Sequence, residues 1–185
     1  MKATNHGRMK APHLIEVKVE GIHQLLNSMD PSPFHERDLD DDAEQFIVSW
    51  AQEYPRREPL KLLVHLGKAP EGVEDPQAVI AESVRHFFEY RADMTRRQFR
   101  QLMKEGRAAL FIGIIFLAVC NLTAELLPAT ENSWPGLLRQ GLAIVGWVAM
   151  WRPLEIYLYQ WWPVLVLERV YRNLSKVDVE VKLGA

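Results

Sequence analysis

Apolar and polar positions follow three different rhythms along this chain. Leu14-Ile-Glu-Val-Lys-Val-Glu20 alternates strictly, as does Val177-Asp-Val-Glu-Val-Lys-Leu183, and each predicts a half-buried strand. Leu60-Lys-Leu-Leu-Val-His-Leu66 is a third strand candidate, ended by Gly67 and Pro70. Between the first and third of these the period changes. Ala43, Phe46, Ile47, Trp50 and Tyr54 fall at i, i+3, i+4, i+7 and i+11, the spacing of one helix face. Asp40, Asp41 or Asp42 can cap that helix, and Pro55 stops it. A second helix is predicted from Asp75-Pro76, with Asp as cap and Pro in the first turn. Its apolar face is Ile80, Val84, Phe87 and Phe88. Neither Gly nor Pro interrupts residues 77–105, so this helix is expected to run on, with Gly106 the one place for it to bend.

The third rhythm is none at all. Residues 108–128 and 137–152 are almost continuously apolar and are joined by a polar link, 129–136. The first stretch reaches about 20 residues, the length a spanning helix needs, with Glu125 near its far end. Together they read as a transmembrane hairpin, in preference to a buried helix of a soluble protein. After Trp151 two outcomes are open. Pro153 marks a kink, and residues 153–175 form an interfacial helix with Tyr159, Trp161 and Trp162 at headgroup depth; or the span continues, with Arg152 and Glu155 paired at i, i+3 inside the membrane. The first is the expectation, and Trp134 and Trp151 join those aromatics as interface anchors. Cations flank the hairpin and are absent from its link. Arg96, Arg97, Arg100, Lys104 and Arg107 precede it, where they meet lipid headgroups; Arg169, Arg172 and Lys176 follow it. The positive-inside rule then puts both termini in the cytoplasm.

The expected fold is α+β. A small cytoplasmic β-α-β part (1–75) leads into an amphipathic basic juxtamembrane helix (76–107) and the hairpin. A C-terminal strand (176–185) returns to complete the sheet, beside Leu14–Glu20 of the same chain or of a neighbour. So small a core is marginal alone and leaves sheet edges open, which predicts a homo-oligomer. The net charge of −2 gives nucleic acid no general support as a partner. The basic stretch 85–107, with its interleaved aromatics, is more economically a lipid-headgroup surface. Cys120 is the single cysteine, so no disulfide forms within one chain. The basic N-terminus lacks a following apolar core and does not read as a signal peptide.

Candidate chemistry is thin. His35, Asp38 and Asp40 lie in an acidic run that resembles a cation loop in charge, but it lacks the glycine and distal glutamate of an EF-hand. The solvated loop and helix cap is the favoured alternative. No His/Cys cluster, nucleophile elbow, phosphate loop or dinucleotide fingerprint is present, so no catalytic residue, cofactor or metal site is expected and the leaning is away from an enzyme. Charged and polar groups in or near the hairpin attract attention because they are costly there. They are Asn121, Glu125, Arg152 and Glu155, candidates for pore lining or for structural pairing.

The segment WVAMWRPLEIYLYQWWP, with the upstream DPSPFHERDLDDDAEQFIVSWA, resembles an uncharacterised group of bacterial two-span membrane proteins. The resemblance covers most of the chain. It implies a bacterial inner membrane and transfers no catalytic residue. The layout is also similar to that of the CorA-type magnesium channels, whose Gly-Met-Asn signature is absent here. Trp151-Arg-Pro-Leu-Glu155 loosely resembles the pore motif of the mitochondrial calcium uniporter, with Arg152 in place of the acidic ring. Three functions follow as expectations. The first is a self-associating scaffold, accessory or regulatory subunit, alone or with another membrane protein. The second is an oligomeric ion pore made by the hairpin. The third is a membrane-anchored metal-dependent enzyme.

Overall fold

The computed structural model describes residues 12–33, 37–55, 58–68, 75–128 and 134–184. They form strand β1 (His13–Val19), helix α1 (Asp41–Glu53), strand β2 (Leu60–Leu66) and the long helix α2 (Pro76–Leu126). Helices α3 (Trp134–Ala149) and α4 (Trp151–Glu155) follow, then a π-helical turn (Ile156–Gln160), helix α5 (Trp161–Leu174) and strand β3 (Asp178–Leu183). The chain divides into two compact units, one made of residues 1–94 and 167–185 and the other of residues 95–166.

The first unit is built on a three-stranded, wholly parallel sheet in the order β1-β2-β3. The C-terminal strand therefore pairs with β2, not with β1 as expected from the sequence. The reason is the pattern of β2. Leu62, Leu63 and Val64 are all buried, so this strand is apolar on both faces and belongs in the centre, whereas β1 and β3 alternate and suit the edges. Ile15, Leu62 and Val179 lie in one row across the core face and Val17, Val64 and Val181 in the next. Against that face pack Ile47 of α1, Ile80, Val84 and Phe88 of α2, and Val170 and Leu174 of α5. All four residues predicted for the apolar face of α2 are in this core.

Helix α1 is turned relative to its predicted face. Ala43, Glu44, Ile47 and Ala51 are buried, while Phe46 and Trp50 stand 43% and 41% exposed. The two aromatics share the helix's apolar arc by sequence, but the small residues let α1 approach the sheet more closely, and the aromatics pair with each other outside (ring centroids 6.2 Å apart). Asp40 is the cap, accepting from the Asp42 N–H at 3.1 Å. Asp75 caps α2 by accepting from the Ala78 N–H at 3.1 Å.

In the second unit α2 passes through Gly106 without a break in its helix. Its later part packs antiparallel to α3 and α4 through small residues one heptad apart. A Cβ on Gly106 would come within 2.9 Å of Ile156; one on Gly113 would meet Met150 and the Ala149 carbonyl at 3.1 and 3.2 Å. Across the contact, a Cβ on Gly146 would reach Leu117 and Cys120 at 3.0 and 3.1 Å. Met150 forms a turn rather than a helix end, and the helical path resumes at Trp151. The π-helical turn precedes Pro163, which has no N–H for the carbonyl four residues back and crowds it. The Trp161 indole N–H donates to the Tyr157 carbonyl at 2.7 Å within that widened turn.

Candidate functional site

Two features stand out beyond the fold itself, an uncovered apolar helical surface in the second unit and a buried carboxylate in the first. The apolar surface begins where the charged part of α2 ends. Phe111, Ile112, Leu122 and Leu126 are 63–86% exposed, and Ile144, Trp147, Val148 and Trp151 on the other arm are 65–70% exposed. Among the described residues α2 is the one helix long and apolar enough to cross a membrane. Helix α3 has 16 residues, short of the ~20 needed for a full crossing.

The packing contacts set the level of each polar group along the hairpin. Gly106 meets Ile156 and Gly113 meets Met150, so Arg152 and Glu155 lie beside residues between those two glycines, at the basic end. There they pair with each other: Arg152 Nη1 donates to Glu155 Oε2 at 3.2 Å, and Gln160 Nε2 donates to Glu155 Oε1 at 3.0 Å. Asn121 and Glu125 sit near the opposite end. The Asn121 amide donates to its own helix, to the Leu117 carbonyl at 2.9 Å, and Glu125 is exposed. The structure thus brings Arg152 and Glu155 together and leaves Asn121 and Glu125 apart from them. Arg96, Arg97, Arg100, Lys104 and Arg107 are all exposed on α2, as are Trp134, Trp151, Tyr159 and Trp162 on the other arm; Trp161 is half-buried. The segment expected as an interfacial helix is divided. Its last turns supply Val170, Tyr171 and Leu174 to the core of the sheet unit.

The buried carboxylate belongs to Glu44. It accepts from the Arg91 guanidinium and, at 2.9 Å, from the Tyr171 hydroxyl. The residue is 7% exposed and Tyr171 8%. The pairing ties α1, α2 and α5 together by charge-assisted hydrogen bonds, which are shorter and stronger than neutral ones. An open groove of about 450 Å³ runs over Glu44 and Tyr171, with Asp41, Gln45 and Gln52 on its wall. The sequence carried one signal for this network that the helix-face assignment passed over: Glu44 lies on the inward arc of α1 with Ala43, Ile47 and Ala51. Its partners, 47 and 127 residues away in the chain, had none.

Burial, and then the Glu44 hydrogen bond, push the Tyr171 phenol up from its ordinary value of 10.0 to about 12. A group whose pKa is raised on folding contributes stability that is complete below its unfolded pKa and is lost as pH rises through the folded one. Wild-type stability in urea should therefore fall between pH 10 and pH 12 by one proton's dependence more than that of Tyr171→Phe. Parallel slopes for the two proteins would refute the assignment.

Within the acidic run Asp40 serves as a helix cap, and Asp30, upstream of the run, holds the loop. Asp30 accepts from the N–H groups of Ser32 and Asp38, both at 2.9 Å, and Asp40 caps α1. Partial burial and the neighbouring Asp30 hold the Asp38 carboxyl above its usual range. His35 lies outside the described residues. Among those described, no three His, Cys, Asp or Glu side chains are grouped to hold a metal. Comparison with known proteins finds no matching family model, no matching curated protein and no matching solved structure.

Proposed function

We propose that this chain is a self-associating protein of a bacterial inner membrane, anchored by its helical hairpin, with the sheet unit and both termini in the cytoplasm. It acts there as a scaffold, accessory or regulatory subunit. The observation that carries this reading is the uncovered apolar surface of α2 and α3. In water so large a patch is an aggregation site; in a bilayer it costs nothing. The level of Arg152 and Glu155 supports the same reading. They lie at the cation-rich end of the hairpin, where a headgroup layer accommodates them, so the anchor accounts for them better than a ring across the middle of a pore.

The edges of the sheet favour self-association. The outer edge of β3 is already occupied, because Gln77 spans it like a neighbouring strand. Its amide donates to the Val179 carbonyl and accepts from the Val181 N–H, both at 2.6 Å. On β1, His13 donates to Pro59 and Val19 accepts from Gly67, so residues 13, 15, 17 and 19 bond β2. By alternation the backbone groups of Leu14, Glu16 and Lys18 point outward. A second copy paired antiparallel at that edge sets Glu16 opposite Lys18 twice, a favourable cross-strand pairing. Val179 is 4% exposed in the protein's own core, so Val179→Asp would unfold the sheet and cannot serve as a test of assembly.

Leu14→Pro removes one outward N–H and tests the edge directly. The full chain should stay in the membrane pellet after alkaline carbonate extraction and give a dimer or larger species by native mass in lipid nanodiscs. The Leu14→Pro variant should remain in the pellet and shift to monomer. Release by carbonate would sink the anchor, and an unchanged mass for the variant would sink the edge pairing.

A further inference from the structure

We infer that α2 carries a binding site for anionic phospholipid headgroups, formed by Arg96, Arg97, Arg100, Lys104 and Arg107. The inference rests on the membrane-anchored reading and adds the lipid chemistry that the anchor selects. At about 100° per residue these five side chains fall within an arc of about 100° and span about 16 Å along the axis. All five are exposed. Gly106, which packs against the other arm, lies on a different side of the helix. None of the five enters an ion pair among the described residues. The neighbouring Glu105 carboxylate instead accepts from Gln101 at 3.1 Å.

The stripe has a cost that calls for an anion. Arg96, Arg100 and Lys104 repeat at i, i+4, and Arg97 with Arg100 and Lys104 with Arg107 at i, i+3, so like charges face one another along the helix. What relieves them is told by the same arc one turn further on. Phe111, Ile114, Ala118 and Leu122 continue it, and all are exposed. A single face thus changes from cationic over residues 96–107 to apolar over residues 111–122, with Glu125 next on it at the far end, the profile of a phosphate layer above acyl chains. A polyanion such as RNA, or an acidic protein, would match the upper half of that face and leave the lower half unexplained.

Attraction to an anionic surface is worth about five-fold in affinity per nearby cation and fades over a screening length of about 8 Å. The contributions are therefore graded. Arg107, Lys104 and Arg100 lie within about 12 Å of Ala108, and Arg97 and Arg96 lie about 16–18 Å from it.

The test uses the full chain in neutral detergent with equimolar dioleoyl phosphatidylglycerol and dioleoyl phosphatidylcholine, read by native mass spectrometry. Wild type should retain the glycerol lipid at least about five-fold over the choline lipid. The triple variant Arg100→Gln/Lys104→Gln/Arg107→Gln should bring that ratio close to one, and Arg96→Gln/Arg97→Gln should keep most of it. Raising the salt on wild-type protein should collapse the preference too, which keeps the test valid if the triple variant does not fold. Equal retention of the two lipids by wild type overturns the site. So does equal loss in the two variants, or a single-stranded RNA oligonucleotide that displaces the glycerol lipid. A chain that survives carbonate extraction yet shows no lipid preference loses only this site; one that carbonate releases loses the anchor.

Discussion

Phe88→Ala is expected to cost the sheet unit about 4 kcal/mol, the range for emptying a large aromatic from a closed core. Phe88 is 0% exposed. Its ring meets Phe87 edge-on at 5.3 Å and lies near-parallel to Tyr171 at 6.1 Å. It is therefore where α2 and α5 share one packing centre over the sheet. A domain has about 5–15 kcal/mol of net stability, so this one truncation removes a large fraction of it. Phe46→Ala is the control. That side chain is 43% exposed beside Trp50 and its loss should cost about 1 kcal/mol or less. Urea unfolding of the full chain in detergent, followed by a probe in the sheet unit, measures both. Equal costs for the two substitutions would mean that the core is not centred on Phe88.

Arg91→Met is expected to cost about 3 kcal/mol, through the carboxylate it abandons more than through the contact it loses. Glu44 is nearly closed off from water, whereas the Arg91 side chain is 41% exposed. Removing the cation leaves the acid with the Tyr171 hydroxyl alone, in a place where ionisation is poorly solvated. The figure is at the lower end for buried pairs because the guanidinium remains half in water. The informative variant is the double one. Arg91→Met with Glu44→Leu should recover most of the loss, since a well-packed apolar pair often matches a buried ion pair in stability. A double variant as unstable as the single one would show that the residues act through packing alone.

The two units differ in how much of their folding the sequence reveals. In the hairpin, the uninterrupted apolar stretches, the cation-free link and the flanking arginines are local, and each follows from the solvent that a segment of that composition requires. The stretch 108–128 and the run of α2 into it were legible on that basis. The cap at Asp75 was legible too, and that of α1 to within Asp40, Asp41 or Asp42, because a cap bonds its own first turn. In the sheet unit, alternation revealed β1 and β3, and a short apolar run ended by Gly67 and Pro70 revealed β2, but none of these showed the strands' partners. Pairing is decided by which strand is apolar on both faces, and the clue in Leu62, Leu63 and Val64 becomes decisive only when the three strands compete for the central place.

Composition and periodicity alone thus determined where the three strands, α1 and the long α2 lie, which end of the hairpin carries the cations, and that the sequence holds no familiar catalytic motif. Tertiary structure alone decided the rest. It put β2 in the middle, turned α1 so that Phe46 and Trp50 face outward, buried Glu44 between Arg91 and Tyr171, and laid Gln77 along the edge of β3. It also set Arg152 and Glu155 between the levels of Gly106 and Gly113. Each of these is an agreement between residues far apart in the chain. A residue's own neighbours fix its local conformation, but the register between two helices or two strands is fixed by the side chains that must fit across the gap, and these are adjacent only after folding.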